Sequence, residues 1–185
     1  MFNIESLNFS LFQSINNFVG ANKVLDFLGI FFAEYLIFIF LFWLLYLWLK
    51  KREYKVFLIL AGFAGTLGVA INSVIHSLYF HPRPFSIPIG TTLISHSPNA
   101  SFPSGHATLM FSIAILFLFF KKTQNIGYWS FLIAVVIGVS RVFCGIHFPL
   151  DILGSLGVSL ISSLLVYLFY KKTILFKSLL SSRIR

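Results

Sequence analysis

The sequence predicts an all-α integral membrane bundle, on three observations. Hydrophobic residues make up 58% of the chain and charged residues only 10%, where a soluble domain carries about 25% charged residues. Five apolar runs follow one another, separated by polar connections. Basic residues collect in alternate connections, the arrangement that membrane insertion imposes. The 185 residues leave room for one domain, 1–185,. A net charge of +9 would invite a nucleic-acid partner, but its spread along the connections points to membrane lipids and to no nucleic acid. The lone Cys144 excludes an intramolecular disulfide and lacks the companions of a Cys-rich metal site.

Residues 1–26 have no basic start followed by a compact apolar core, so no cleavable signal peptide is expected,. Within them Ile4, Leu7, Leu11, Phe12, Ile15 and Phe18 recur at helical spacing. That pattern predicts an amphipathic helix on the outer face, with a re-entrant sixth segment as the competing reading. The core, 27–170, holds five spans: 27–49, 56–80, 106–120, 128–143 and 150–170. A hydrocarbon layer of about 30 Å needs about 20 helical residues. The first, second and fifth spans meet this. The third and fourth are short, so their helices are expected to continue into polar residues screened by protein. Gly62, Gly65 and Gly68 in the second span predict close helix–helix contact,. The connection 81–103 carries Pro82, Pro84, Pro88, Gly90 and Pro98, too broken for helix. It joins two polar motifs and so is expected to line a site, with 81–105 and 144–149 as the site loops.

Eleven of the fourteen basic residues fall on one side of this topology. They are Lys50, Lys51, Arg52 and Lys55, then Lys121 and Lys122, then Lys171, Lys172, Lys177, Arg183 and Arg185 of the tail 171–185. The positive-inside rule makes that side cytoplasmic. The N-terminus and the polar motifs then face outward, and two of the three remaining cations, Arg83 and Arg141, belong to motifs.

Those motifs are Arg83-Pro84, Pro103-Ser104-Gly105-His106, and Ser140-Arg141 followed by His147 and Asp151. Ionisable groups at a membrane face mark a functional site by default. Ser104 precedes an apolar run as an N-cap would, and the free N–H groups of a helix start attract anions. Gly105 lets an anion approach the backbone. Asp151 lies four residues after His147, one helical turn, and can fix its tautomer while the other ring nitrogen serves as nucleophile or base. Arg83 and Arg141 carry planar donor forks suited to phosphate oxygens.

Together these residues resemble the type 2 phosphatidic-acid-phosphatase superfamily, whose signatures are Lys-x6-Arg-Pro, Pro-Ser-Gly-His and Ser-Arg-x5-His-x3-Asp. The second and third are complete here, and the lysine of the first falls on His76. The text around Leu78-Tyr79-Phe80-His81-Pro82-Arg83-Pro84-Phe85 and Asp151-Ile152-Leu153-Gly154-Ser155 is similar to the bacitracin-resistance branch of undecaprenyl-diphosphate phosphatases. The resemblance implies His147 as nucleophile, Asp151 as its orienting group and His106 as acid and then base. It implies Arg83, Arg141, Ser104 and Gly105 as phosphate ligands, with His76 a weaker one that His81 could assist. His96 matches no motif position. The family needs no metal or other cofactor, and Asp151 is the carboxylate expected near the motifs, where a two-metal site would want several. The expected function is dephosphorylation of undecaprenyl diphosphate in a bacterial cell membrane. Other lipid substrates (lipid A, phosphatidylglycerophosphate, phosphatidate), phosphate transfer to another lipid, and an anion-binding channel or scaffold are the alternatives.

Overall fold

The computed structural model describes residues 4–87 and 89–183, with side chains described to residue 175. Pro88 of the site loop and Arg185 of the tail lie outside the described residues, as do the side chains of Lys177 and Arg183. The described chain is helical, in six elements: α1 (Ile4–Asn16), α2 (Lys23–Lys50), α3 (Lys55–Leu78), α4 (Gly105–Leu118), α5 (Gln124–Phe143) and α6 (Pro149–Arg183). No strand occurs among the described residues. Four helical stretches are long and apolar enough to cross a membrane: Lys23–Lys50, Arg52–Leu78, Lys121–Phe143 and Pro149–Leu175. The protein is therefore the all-α membrane bundle that its composition predicts.

The third span departs from expectation. α4 has 14 residues, about 21 Å at 1.5 Å per residue, and it does not lengthen beyond Gly105 of the polar motif. It starts at Gly105 and stops at Leu118, because the bundle encloses it. Ala107, Met110, Ala114, Leu116 and Phe117 are all buried, and α3, α5 and α6 surround it. A helix screened by protein need not match the lipid thickness. The fourth span does lengthen, but through Lys121–Thr123 at the end opposite the motif. α6 continues without a break to Arg183.

Small residues set the central contacts. A Cβ on Gly65 would stand 2.6 Å from Leu109 Cδ1, and one on Gly68 2.7 Å from Ser112 Oγ. Gly62 faces open space, so two of the three glycines carry the close contact. On the other side of α4, the hydroxyls of Ser155, Ser159 and Ser163 donate to the carbonyls of Ser104, Thr108 and Ser112 at 3.0, 2.9 and 2.8 Å. One such bond per turn fixes the register of α6 on α4. It brings the first turn of α6, with Asp151, against the start of α4, with Ser104.

α1 is too short to span a bilayer, at 13 residues, or about 20 Å. Its apolar stripe is mostly exposed, with Phe12 turned inward. Ile4, Leu7, Leu11 and Phe18 are exposed, whereas Asn8, Phe12 and Asn16 are buried. The face that meets the protein joins two amides to Phe12. Asn16 Nδ2 donates to the carbonyls of Thr91 and Phe143, its Oδ1 accepts from Thr91 N–H, and Asn8 Oδ1 accepts from Leu150 N–H. Loop backbones need such partners, so α1 turns its amides to the site loops and its apolar side outward. Phe12 packs edge-on against Phe148 at 5.2 Å, next to His147.

Candidate active site

The motif ends of α4, α5 and α6 and the two loops 79–104 and 144–148 converge on His147. Arg83 is 4% exposed and is held from both loops. Its Nη1 donates to Ile146 O at 2.8 Å and to His147 Nε2 at 3.2 Å. Its Nε donates to Asn99 Oδ1 at 3.0 Å, and Nη2 to Ala100 O at 3.4 Å. Arginine can only donate, so His147 Nε2 is an acceptor and the ring proton sits on Nδ1. That proton points to Asp151 Oδ2 at 3.3 Å and Ser101 Oγ at 3.2 Å.

Asp151 is fully buried, and its Oδ2 collects three donors: Phe148 N–H at 2.7 Å, the Ser101 hydroxyl and His147 Nδ1. Burial pushes His147 well below the usual histidine range, against the pull of Asp151. The imidazole is thus a neutral base with its lone pair on Nε2. The buried Cys144 thiol is no competing nucleophile, because burial raises it to about 12.

The second motif supplies donors. Ser104 occupies the N-cap position of α4 with extended backbone, but its side chain makes no capping bond. Its Oγ is a buried polar atom with no partner among the described residues. The first N–H groups of a helix have no acceptor within it, and a Cβ on Gly105 would meet nothing within 4 Å. His106 follows, half-buried. Arg141 is 1% exposed and its Nε is likewise buried without a partner. Ser104 Oγ and Arg141 Nε are thus two buried donors without a hydrogen-bond partner among the described residues.

Three positions make contacts that the sequence does not show. His76 Nε2 lies 3.0 Å from Pro103 O, so the residue at the family's lysine position contacts the backbone of the second motif. His81 turns to Asp151: its Nδ1 lies 3.5 Å from Oδ1, and neither atom has another partner. Asp151 is not the lone carboxylate near the motifs, since Glu34 Oε1 lies 3.6 Å from Arg141 Nη1. Ser101 and Asn99 also belong to the site although no spacing singled them out. Glu34 did leave a signal, an ionisable residue inside an apolar run. His96 stays a loop residue, its Nδ1 near Ser97 O at 3.1 Å.

Asp151, with Glu5 adding to it, raises His81 above the usual 6.5. The folded protein then holds this proton more tightly than the unfolded chain. The pair's contribution is full below about pH 6.5 and fades as pH rises through the folded value. Thermal stability in detergent should fall on the alkaline side, and His81→Gln should remove that part of the slope. Superimposable curves for the two proteins would show that the pair does not form.

Comparison with known proteins identifies the family. The PAP2 superfamily model matches residues 57–175. Undecaprenyl-diphosphatase BcrC of Bacillus subtilis strain 168 is 37% identical over 164 residues, 88% of this chain and 84% of that protein. The bacitracin transport permease protein BcrC of Bacillus licheniformis is 32% identical over 88% of this chain and 80% of its own. The crystal structure of Aquifex aeolicus LpxE superposes with a TM-score of 0.70 at 28% identity, covering 87% of this chain and 94% of that one. A family model over the core helices, and relatives aligned along most of their length, leave one assignment: the chain belongs to the PAP2 superfamily and is a multi-pass membrane phosphatase.

Proposed function

We propose that the protein removes the terminal phosphate of undecaprenyl diphosphate without a metal ion. The observation that carries this reading is the pair of buried, unpartnered donors, Ser104 Oγ and Arg141 Nε, beside a histidine held as a neutral base. His147 Nε2 attacks the terminal phosphorus, forming a P–N bond as the bond to the bridging oxygen breaks. His106 gives its proton to that oxygen, releasing undecaprenyl phosphate. His106 then takes a proton from water, whose oxygen displaces His147 and frees inorganic phosphate. Arg83, Arg141, Ser104 and the N–H groups at Gly105 neutralise the charge that spreads over the phosphoryl oxygens. His76 acts on this cradle through Pro103.

The substrate class is supported by the Bacillus subtilis relative, which bears the name undecaprenyl-diphosphatase. A transport reading, which the name of the Bacillus licheniformis relative carries, would need an uncommitted polar path across the bundle. The hydroxyls of Ser155, Ser159 and Ser163 are instead each given to a backbone carbonyl. The distribution of basic residues favours a site at the outer face of a bacterial cell membrane, α1 lying there as well, and a cytoplasmic basic C-terminal segment.

The test is phosphate release by the purified protein in detergent with excess EDTA, on undecaprenyl diphosphate, undecaprenyl phosphate and phosphatidate in parallel. Release from the diphosphate, unaffected by EDTA, is the expected result. Preference for phosphatidate would move the substrate to another envelope lipid, and loss in EDTA would end the metal-free reading.

A further inference from the structure

Arg141 lies on the last turn of α5 and is buried to 1% exposure. A guanidinium in that position without a counter-charge is costly. Both of its partners come from one place. Nη1 donates to Ala33 O at 3.1 Å and pairs with Glu34 Oε1 at 3.6 Å. Ala33 and Glu34 sit in the one π-helical turn of α2, Phe31–Tyr35, where Leu36 N–H bonds back to Phe31 O five residues away. Such a turn interrupts the regular bonding of a helix and occurs frequently at functional sites. α2 is pressed against this end of α5, since a Cβ on Gly29 would stand 2.5 Å from the Phe143 ring. The pairing is therefore built by the backbone of α2, and is no chance meeting of two long side chains.

The pair is unequal. Glu34 is 35% exposed while Arg141 is enclosed, so the carboxylate stands on the open side of the cation. We infer that Glu34 is a positioning residue for Arg141 that holds the guanidinium between turnovers and weakens its grip on the phosphate product. This inference rests on the phosphate-binding role proposed for Arg141. Without phosphate, Glu34 supplies the missing counter-charge. With phosphate on Arg141, the carboxylate faces a second anion at short range, and like charges at that range repel. A lipid substrate has its tail to anchor it against that repulsion. Inorganic phosphate has none, so the effect falls hardest on release of the product.

The experiment is binding of inorganic phosphate to the full-length protein in detergent, by equilibrium dialysis, for wild type, Glu34→Gln and Glu34→Asp. Glutamine keeps the size and removes the charge. The expected result is about tenfold tighter phosphate binding in Glu34→Gln, near 1.4 kcal/mol. Glu34→Asp should return towards wild type, and phosphate should become a stronger inhibitor of turnover in Glu34→Gln. A residue that only props Arg141 would give the opposite sign, weaker phosphate binding in Glu34→Gln. That result, or unchanged binding, overturns the inference. The dialysis uses no lipid, so failure of the undecaprenyl diphosphate reading would appear in the turnover assay and leave this measurement able to decide.

Discussion

Glutamine in place of His147 should lower phosphate release by a factor on the order of 10⁴ or more while the bundle stays folded, because a covalent mechanism loses its nucleophile outright. Glutamine is the informative choice at a position 1% exposed. Its amide N–H can donate towards Asp151 as Nδ1–H does, and its carbonyl can accept from Arg83 as Nε2 does. Alanine would leave a cavity, an unpaired Arg83 donor and a weakened Asp151 shell. Its inactivity could then reflect damage to the loops. The measurement is phosphate release together with trapping of labelled enzyme in an alkaline quench, under which a P–N bond on histidine survives. Wild type should carry label on histidine and the glutamine variant should carry none. Turnover within tenfold of wild type would mean that some other group attacks phosphorus.

Much of this architecture was legible in the sequence because the bilayer forces it. A chain that must satisfy its backbone inside lipid writes long apolar runs and charges their cytoplasmic flanks. The three motifs were legible because phosphate chemistry needs a narrow set of groups. What stayed hidden depends on which face of a helix meets protein. In α1 the periodicity shows an amphipathic helix, but not that Asn8 and Asn16, with Phe12, are the residues turned to the protein, since the surface beneath is loop backbone. The length of α4 was hidden because enclosure by neighbours cannot be read from hydropathy. His76 and His81 are both plausible phosphate ligands on paper. Only the fold shows that one meets Pro103 O and the other Asp151. Glu34 lies more than a hundred residues from Arg141 in sequence, so no local spacing could join them.

Asp151→Asn should reduce kcat by a factor on the order of 10² to 10³ with little change in KM, because it removes charge and keeps shape. Oδ2 receives Phe148 N–H, the Ser101 hydroxyl and His147 Nδ1. An amide oxygen can take that place but an amide NH2 cannot, since it would face three donors. The NH2 must therefore stand where Oδ1 was, against His81 Nδ1. It can donate there only to a neutral imidazole. The variant should accordingly fold with His81 unprotonated and lose the alkaline fall in thermal stability expected of wild type. The chemical loss follows separately. When Nε2 bonds to phosphorus the ring becomes cationic, with Nδ1–H still pointing at residue 151. A carboxylate neutralises that cation and an amide does not, so the penalty belongs to the transition state rather than to binding. Arg83, which can only donate to Nε2, keeps the productive tautomer even in the variant, which is why the expected loss is smaller than that for His147→Gln. If the amide were instead reversed, Phe148 N–H would meet another donor, and thermal stability would drop at every pH. A variant with wild-type kcat would remove Asp151 from the mechanism.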